Sequence, residues 1–254
     1  RAYFGDKDIS ARSTSRGVTM GGIPTMEAPY TAEFIAGKMT EATVIQPGWD
    51  LGADAGWGGN YDQFPVFGQS ERWFKIGEGN TFKVGFKNSG TSGGAQTVKV
   101  IIPNNSTWVI NNSVQFDNIT EVIVEDGGKI EIDDDASLIL TAASYMTVLK
   151  GGSIKGDGGI RITNGSAGCK NYNAGNINCS VLDFNGGVGE FYNYGELELD
   201  KYMASTNGMV LVNHGFIGAE DIEGNNNTSI KNGCHIKVEN KFQFGELLMG
   251  HTSE

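Results

Sequence analysis

Two aspartates, Asp133 and Asp157, have a residue type and a spacing that can support chemistry. Each lies five residues after a glycine, Gly128 for the first and Gly152 for the second. If these glycines hold equivalent places in successive repeats, the two carboxylates lie about one strand spacing apart, roughly 4.8 Å. Such a pair can raise the pKa of one partner for acid–base work on a glycosidic bond. The alternative is that both are solvated turn residues.

The same region offers ligands for a cation. Asp134 and Asp135 follow Asp133 directly, and carboxylate oxygens are the ligands that Ca²⁺ prefers. The sequence therefore predicts Asp133, Asp134 and Asp135 as candidate ligands of a bound Ca²⁺, and no other cofactor. A zinc site is not expected, because His214 and His235 stand at different places relative to their glycines and do not share a column.

Aromatic residues in a glycine-rich stretch near the N-terminus form a second candidate site. Trp49, Trp57 and Tyr61 are candidate ligands for a glycan, because exposed aromatic rings stack on the faces of sugars. The alternative, which we favour, is that these rings plug the open end of a repeat structure, whose terminal coil otherwise presents unpaired strand edges.

The cysteines leave two interpretations open. Three cysteines are too few for a disulfide framework. Cys169 and Cys179 lie ten residues apart around a loop rich in glycine and asparagine, and they can form a disulfide in an oxidising compartment. Equally, at least one of them can be a small buried hydrophobic residue.

A repeat in the C-terminal half predicts the elements that position these residues. Three motifs share one form, an Asn two residues before a Gly and an aliphatic residue two after it, and they contain Gly175, Gly195 and Gly215. The glycines are 20 residues apart, and Gly233 follows after 18. A period near twenty residues is typical of a solenoid. Residues 195–199 alternate polar and apolar side chains, as half-buried strands do.

Stacked coils predict columns of equivalent side chains. Asn173, Asn193 and Asn213 are expected to form an amide ladder, and Tyr172 and Tyr192 to stack on each other. The glycines are expected to supply the positive φ of a sharp turn. The aliphatic residues that follow them are expected to share one core: Ile177, Leu197 and Ile217.

The predicted fold class is all-β, a right-handed parallel β-helix (solenoid) built from one chain, since parallel β connections are normally right-handed. Residues 1–72 show no repeat and are expected to cap the first coil or form a small β-rich unit. Within them Thr31 can cap a short helix that Gly37 limits. Residues 73–113 can be antiparallel hairpins or the first coils. Residues 114–254 are expected to form coils without an obvious cap at the end.

Composition and charge exclude several functions. The 254 residues contain 38 glycines but 5 prolines, which does not indicate a disordered Pro/Gly-rich chain. A net charge of −11 argues against binding to nucleic acid and to anionic lipid. No apolar run is long enough for a membrane span. The chain starts at Arg1, which suggests that a signal or lipoprotein segment was removed and allows a lipid anchor.

The form Asn-x-Gly-x-(Ile/Leu), together with Gly-Gly-Lys-Ile-Glu-Ile at 127–132, resembles the coils of secreted right-handed β-helix proteins. It is similar to cell-surface proteins of the Bacteroidetes type, some of which carry LruC-type domains. The resemblance covers residues 114–245, about half the chain, and transfers no functional residues. It implies a cell-surface, extracellular or periplasmic location and a role in adhesion or glycan handling.

Three functional hypotheses follow. The leading one is a non-enzymatic module for adhesion or glycan binding, with a polysaccharide as partner. The second is a polysaccharide lyase or glycoside hydrolase acting near Asp133 and Asp157. Pectate-lyase-like β-helix enzymes resemble this fold and need a basic residue beside clustered acids, for which Arg161 and Lys155 are the candidates near Asp157. The third is a structural stalk of a larger surface protein.

Overall fold

The computed structural model describes residues 18–51, 71–83, 85–88, 97–117, 119–164, 170–186, 189–204 and 208–250. The N-terminal part contains one helix and seven strands: β1 (Val18–Met20), α1 (Ala32–Glu41), β2 (Thr43–Val44), β3 (Glu71–Lys75), β4 (Thr81–Phe82), β5 (Thr97–Ile102), β6 (Thr107–Ile110) and β7 (Val114–Phe116). The next strands are β8 (Thr120–Val124), β9 (Lys129–Ile132), β10 (Ser137–Ala142), β11 (Tyr145–Val148), β12 (Ser153–Asn164), β13 (Lys170–Asn173) and β14 (Asn176–Phe184). The last are β15 (Glu190–Asn193), β16 (Glu196–Ala204), β17 (Val210–Asn213), β18 (Phe216–Gly224), β19 (Ser229–Asn232), β20 (His235–Gln243) and β21 (Glu246–Met249).

The strands form two parallel sheets that wind around one core. An 11-stranded sheet has the order β1-β21-β19-β17-β15-β13-β11-β8-β5-β3-β2. A 10-stranded sheet contains β20-β18-β16-β14-β12-β9-β6-β4, with β10 paired to β12 and β7 paired to β10. Ile177, Leu197 and Ile217 lie opposite one another in parallel register and belong to a single hydrophobic core. The predicted β-solenoid is therefore confirmed.

The solenoid begins earlier than residue 114. Strand β3 pairs in parallel with β5, and β5 pairs in parallel with β8. Residues 73–113 therefore contain coils of the same two sheets. The sequence alone had not decided between antiparallel hairpins and first coils for this stretch. Trp108 is fully buried within them and stacks on Phe86 at 4.4 Å between ring centroids.

Glycine is required at the corners for a different reason from the expected one. The described glycines with a positive φ do not include Gly175, Gly195 or Gly215. Instead, a Cβ on any of the three would lie 2.0–2.1 Å from the carbonyl oxygen of the corner glycine one coil earlier. The corner backbones approach so closely that no side chain fits between them, whatever the local φ.

The fourth corner was assigned to the wrong residue. Phe216 lies opposite His235 in the register of the ten-stranded sheet, so Cys234, not Gly233, occupies the corner that follows Gly215. The hydrogen bond from His235 N to Gly215 O is 3.3 Å, whereas the equivalent bond from Phe216 N to Gly195 O is 2.9 Å. The coil with a side chain at the corner is thus more loosely stacked.

The predicted asparagine ladder is present and is one residue longer than expected. Asn173 donates from Nδ2 to Oδ1 of Asn193, which donates to Asn213, which donates to Asn232, at 2.8, 2.8 and 2.7 Å. Asn173, Asn193 and Asn213 have no exposed surface, and Asn232 is 3% exposed. Each amide also donates to a backbone carbonyl, so the ladder binds the coils together at the turns.

The described N-terminal segment, residues 18–51, runs the length of the solenoid over the outer face of the eleven-stranded sheet. Its first strand pairs in parallel with β21, at the last coil. Strand β2 pairs with β3 at the first coil. The segment therefore adds one strand at the first coil and another at the C-terminal end, where the sequence showed no obvious cap.

Helix α1 packs on the same face. Thr31 is its N-cap, and Thr31 Oγ1 accepts a hydrogen bond from Phe34 N at 3.2 Å, as the sequence predicted. The expectation that Gly37 limits the helix was wrong, since α1 continues to Glu41. A Cβ at Gly37 would meet no other atom, and burial of Ile35 against the sheet outweighs the weak helix propensity of glycine.

A buried ionic cluster fastens the segment to the sheet. Lys99 and Glu121, 4% and 1% exposed, form an ion pair on neighbouring strands. Tyr30 donates to Glu121 Oε2 at 2.6 Å, Lys99 donates to the hydroxyls of Tyr30 and Tyr145 at 3.0 Å, and Thr147 donates to Glu121 Oε1 at 2.5 Å. Burial raises the pKa of both tyrosines, with Glu121 adding to it. Burial alone lowers the pKa of Lys99, but attraction to Glu121 raises it overall.

Aromatic rings hold the other half of the segment. Tyr172 and Tyr192 share a column as predicted, but the close ring contacts run through Tyr194. Its ring centroid lies 5.5 Å from Tyr172 and 4.8 Å from His214. The Tyr194 hydroxyl accepts from the backbone N–H of Met26 at 2.6 Å, and His214 Nε2 contacts the carbonyl oxygen of Pro24 at 2.7 Å.

Candidate functional site

The ten-stranded sheet bends at one place in each of several coils, where two neighbouring residues both face outward. These residues are Ser180 and Val181 in β14, and Asp200 and Lys201 in β16. After each pair every second side chain returns to the core, Leu182 and Phe184 in β14 and Tyr202 and Ala204 in β16. The strands therefore change direction without interrupting the core, and two depressions open along the outside of this bend.

The first depression has a volume of about 300 Å³ and is lined mainly by outward residues of β14, β16, β18 and β20. Its polar side chains are paired across neighbouring coils. Asn178 Nδ2 donates to Glu198 Oε2 at 3.0 Å, and Ser180 Oγ donates to Asp200 Oδ2 at 2.6 Å. Both contacts join β14 to β16, and they orient the two carboxylates of β16.

The second depression, of about 310 Å³, lies further toward the N-terminal coils. Asp157 and Ser180 line both depressions, so the two meet at these residues and form one groove along the bend. Asp183 lies in the second depression and is 8% exposed. Its Oδ2 accepts from Arg161 Nε at 3.2 Å, while its buried Oδ1 has no hydrogen-bond partner among the described residues.

One aromatic ring lines the groove. Phe216 is partly exposed, and its ring lies over the backbone of Gly218, where an added Cβ would be 3.0 Å from the ring. Phe216 also stacks on the exposed ring of His235, with centroids 5.4 Å apart and an interplanar angle of 21°. The groove thus combines a flat apolar surface with rows of hydrogen-bonding groups.

The candidate catalytic residues are placed on neighbouring coils, but their surroundings differ from those of an acid–base pair. Asp133 is exposed in the turn between β9 and β10, and a Cβ at Gly158 would meet its carbonyl oxygen at 2.4 Å. Asp157, next to Gly158, faces the groove, whereas Asp133 does not line either depression. Arg161 pairs with Asp183. Catalysis by Asp133, Asp157 and Arg161 stays a prediction.

The three candidate Ca²⁺ ligands lie in an exposed turn. Asp134 Oδ1 accepts from the backbone N–H of Asp135 at 3.0 Å, and Asp135 has a φ of 63°. Within the described residues there is no group of three or more acidic, histidine or cysteine side chains arranged to hold a metal ion. The Ca²⁺ site at Asp133, Asp134 and Asp135 therefore stays a prediction without support from this geometry.

Of the three aromatic candidates, Trp49 lies within the described residues and the other two do not. Trp49 is partly buried and packs against the main core, and its carbonyl oxygen accepts from Lys87 N at 3.1 Å. This packing agrees with a ring that closes the end of the solenoid. Trp57 and Tyr61 lie outside the described residues, so a glycan platform built from them stays a prediction.

The structure favours the second interpretation of the cysteines. Cys179 is a free thiol, 3% exposed, whose side chain belongs to the main core. Burial raises its pKa to about 12, with the charge of Asp200 adding to the shift. The proposed disulfide with Cys169 is therefore not formed by this thiol, and Cys169 itself lies outside the described residues.

Sequence reasoning missed Glu198, Phe216 and Asp183 as site residues. A signal existed for the first, because Asn178 and Glu198 stand three residues after Gly175 and Gly195 and fall in one column. The groove itself gave no such signal, since it depends on where the strands bend.

The fold and the groove together define a class of protein, a parallel β-solenoid with an open polar groove along its coils. No helix in the described ranges is long and apolar enough to cross a membrane. No protein-family model, no curated protein and no solved structure matches this chain.

Proposed function

We propose that this chain is a non-enzymatic module that binds a polysaccharide along the bend of the ten-stranded sheet. One observation carries the proposal: polar side chains of four successive coils line one open groove, Asn178 and Ser180 in β14, Glu198 and Asp200 in β16, Glu220 in β18, and Lys237 and Glu239 in β20. A polysaccharide is itself a linear repeat of hydrogen-bonding groups, so successive sugars can meet successive coils. The same groove is too open to enclose a small molecule on most of its surface, as small-ligand sites usually do.

The ring of Phe216 supports binding of a sugar in particular. The ring lies over Gly218, which has no side chain and stands between Glu198 and Lys237 in one column of the sheet. A pyranose ring can stack there while its hydroxyls reach the carboxylates of the neighbouring coils. Apolar rings flanked by a few polar groups are typical of ligand sites.

The charge pairing favours binding over catalysis. Arg161 is held by Asp183, and a guanidinium that stays protonated beside a carboxylate is a poor general base. Asp157 faces the groove with this pair nearby, and Asp133 lies to one side in its own turn.

An extracellular, cell-surface or periplasmic location, with or without a lipid anchor, is implied by the resemblance and belongs to the proposal.

A stalk within a larger surface protein is the second candidate. The asparagine ladder ties four successive coils together, and the N-terminal segment pairs with strands at both ends of the solenoid. These ties favour a stiff rod, which suits a spacer as well as a binding module.

A polysaccharide panel separates the three functions. The protein is screened for retention and for depolymerisation on acidic and neutral polysaccharides, alongside Phe216→Ala in the groove and Phe34→Ala on α1 as a matched control. We expect retention without cleavage that Phe216→Ala weakens and Phe34→Ala does not. Depolymerisation that is lost on Asp157→Asn would show an enzyme instead, and absence of any interaction would favour the stalk.

A further inference from the structure

The groove carries a strong excess of negative charge. Among the residues that the structure describes, seven carboxylates and two cationic side chains line the two depressions: Asp135, Asp157, Asp183, Glu198, Asp200, Glu220 and Glu239, with Arg161 and Lys237. Both cations are already paired inside the groove, Arg161 with Asp183 at 3.2 Å and Lys237 with Glu239 at 2.9 Å. The other five carboxylates therefore determine the sign of the potential that a ligand meets.

The carboxylates at the centre are held in place but not neutralised. Glu198 and Asp200 accept their cross-coil hydrogen bonds from an amide and a hydroxyl, which are uncharged donors. Lys201 follows Asp200 directly but pairs with Glu223 at 2.8 Å, on the other side of the bend. The central charges thus stay available to a positively charged partner.

Asp183 gives an independent indication of a missing donor. The residue is 8% exposed, and its Oδ1 has no hydrogen-bond partner among the described residues. A buried acceptor without a partner is destabilising, and more so when it is charged. Its Oδ1 is itself covered, so a donor supplied by a ligand in the second depression removes part of this destabilisation only when a neighbouring side chain, such as that of Arg161, moves aside.

From these observations we infer that the groove selects a glycan that carries protonated amino groups, such as a polymer of de-N-acetylated hexosamine. This inference rests on the proposed glycan-binding function. The coils of β12, β16, β18 and β20 each present at least one carboxylate to the groove, so positive charges spread along a chain match it better than one compact cation does. A uronate polymer is repelled by the same carboxylates, and an uncharged glycan gains nothing from them.

The experiment compares three oligosaccharide series of matched length by isothermal titration calorimetry at mildly acidic pH. The probes are glucosamine oligomers, their N-acetylated counterparts and galacturonate oligomers. We expect the glucosamine series to bind about tenfold more tightly than the N-acetylated series, with an affinity that falls as salt is added. The galacturonate series is expected to bind more weakly than both.

Isosteric variants test whether the groove supplies the selectivity. Asp200→Asn combined with Glu198→Gln should lower the affinity for glucosamine oligomers about fivefold and leave the N-acetylated series nearly unchanged. Glu41→Gln on α1, which also removes an exposed carboxylate, is the matched control and should change neither affinity. Both groove residues are exposed, so their replacement should leave the protein folded. Far-UV circular dichroism melting checks this for each variant.

The outcomes distinguish the two levels of the proposal. Equal binding of the glucosamine and N-acetylated series, or preference for galacturonate, overturns the charge selection while leaving glycan binding intact. Failure to bind any of the three series overturns both. If lysine oligomers of the same charge bind as tightly as glucosamine oligomers and compete with them, the ligand is a basic peptide and the glycan assignment is wrong.

Discussion

Replacement of Gly195 by alanine tests the central packing contact of the solenoid. A Cβ at this position would lie 2.0 Å from the carbonyl oxygen of Gly175, a distance that must grow by about 1 Å to reach the closest contacts seen in proteins. The groups in the way are backbone atoms on both sides, including Gly175 N at 2.9 Å. The neighbouring coils must therefore separate, because no side chain can rotate out of the contact.

The magnitude follows from the bonds that join these coils. Glu196 N donates to Gly175 O at 2.9 Å, and Gly195 N donates to Asn173 O at 3.1 Å. A displacement of about 1 Å takes both beyond hydrogen-bond length, and each buried group left without a partner costs about 1–3 kcal/mol. We expect Gly195→Ala to lower the free energy of unfolding by about 3–5 kcal/mol.

The last coil already has a side chain at the corner position. Cys234 has a side chain at the equivalent corner, and the adjoining hydrogen bond from His235 N to Gly215 O is 3.3 Å instead of 2.9 Å. A coil near the end can move outward more freely than one held between two neighbours. Gly195 lies between two corner glycines and does not have that freedom.

The assay is urea denaturation followed by circular dichroism and tryptophan fluorescence. Gly233→Ala is the matched control, since its added Cβ would meet its nearest atoms at 3.4 and 3.5 Å, and it should change stability by no more than about 0.5 kcal/mol. Gly195→Asn should destabilise at least as much as Gly195→Ala. If asparagine is the better tolerated of the two, the glycine is needed for its backbone angle and the close-approach argument fails.

Three further predictions use the same denaturation assay or thiol mapping. Asn193→Asp places a carboxylate among acceptors in the buried ladder, so the pKa of the new carboxyl group is raised in the folded state. We expect the free energy of unfolding to fall by about 3 kcal/mol at neutral pH and to be partly recovered below about pH 4. A loss that does not depend on pH would contradict this. The pKa values of Tyr30 and Lys99 are both higher in the folded state than in the unfolded state. The stabilisation that they provide is therefore complete below their unfolded pKa near 10 and is lost as the pH rises through the folded values. The wild type should lose stability in strong alkali, and Tyr30→Phe should lose less. Exposed Cys234 should be alkylated by maleimide in the native protein while Cys179 is protected until unfolding, as peptide mapping by mass spectrometry would show; equal labelling would refute the burial of Cys179.

Much of the solenoid was predictable because its repeat is local. The spacing of Gly175, Gly195 and Gly215 predicted the coil length, and their flanking residues predicted the amide ladder and a shared core. The fourth corner was misassigned because the last repeat places Cys234 where the others have glycine. The strand register determines which positions of a solenoid are equivalent. When the motif changes by one residue, the sequence does not show that register.

The candidate site was less predictable, because it depends on where the strands bend and on which cations are already paired. Asp157 was identified, yet the residues that line the groove with it include Ser180 and the Arg161–Asp183 pair, and Asp133 is not among them. Asp183 carried no sequence signal, since an orphaned buried oxygen exists only after the coils have stacked. The aromatic ring of the groove, Phe216, was overlooked for the same reason.

By itself, the sequence determined the parallel solenoid, its coil length and the columns that stack along it, because each coil repeats a short pattern of buried, polar and corner residues. The tertiary structure alone decided the path of residues 18–51, which pair with β21 at one end and β3 at the other. It also decided the groove and its charge. These features join residues far apart in the chain, and their energies come from contacts such as Tyr30 with Glu121 that no local pattern encodes.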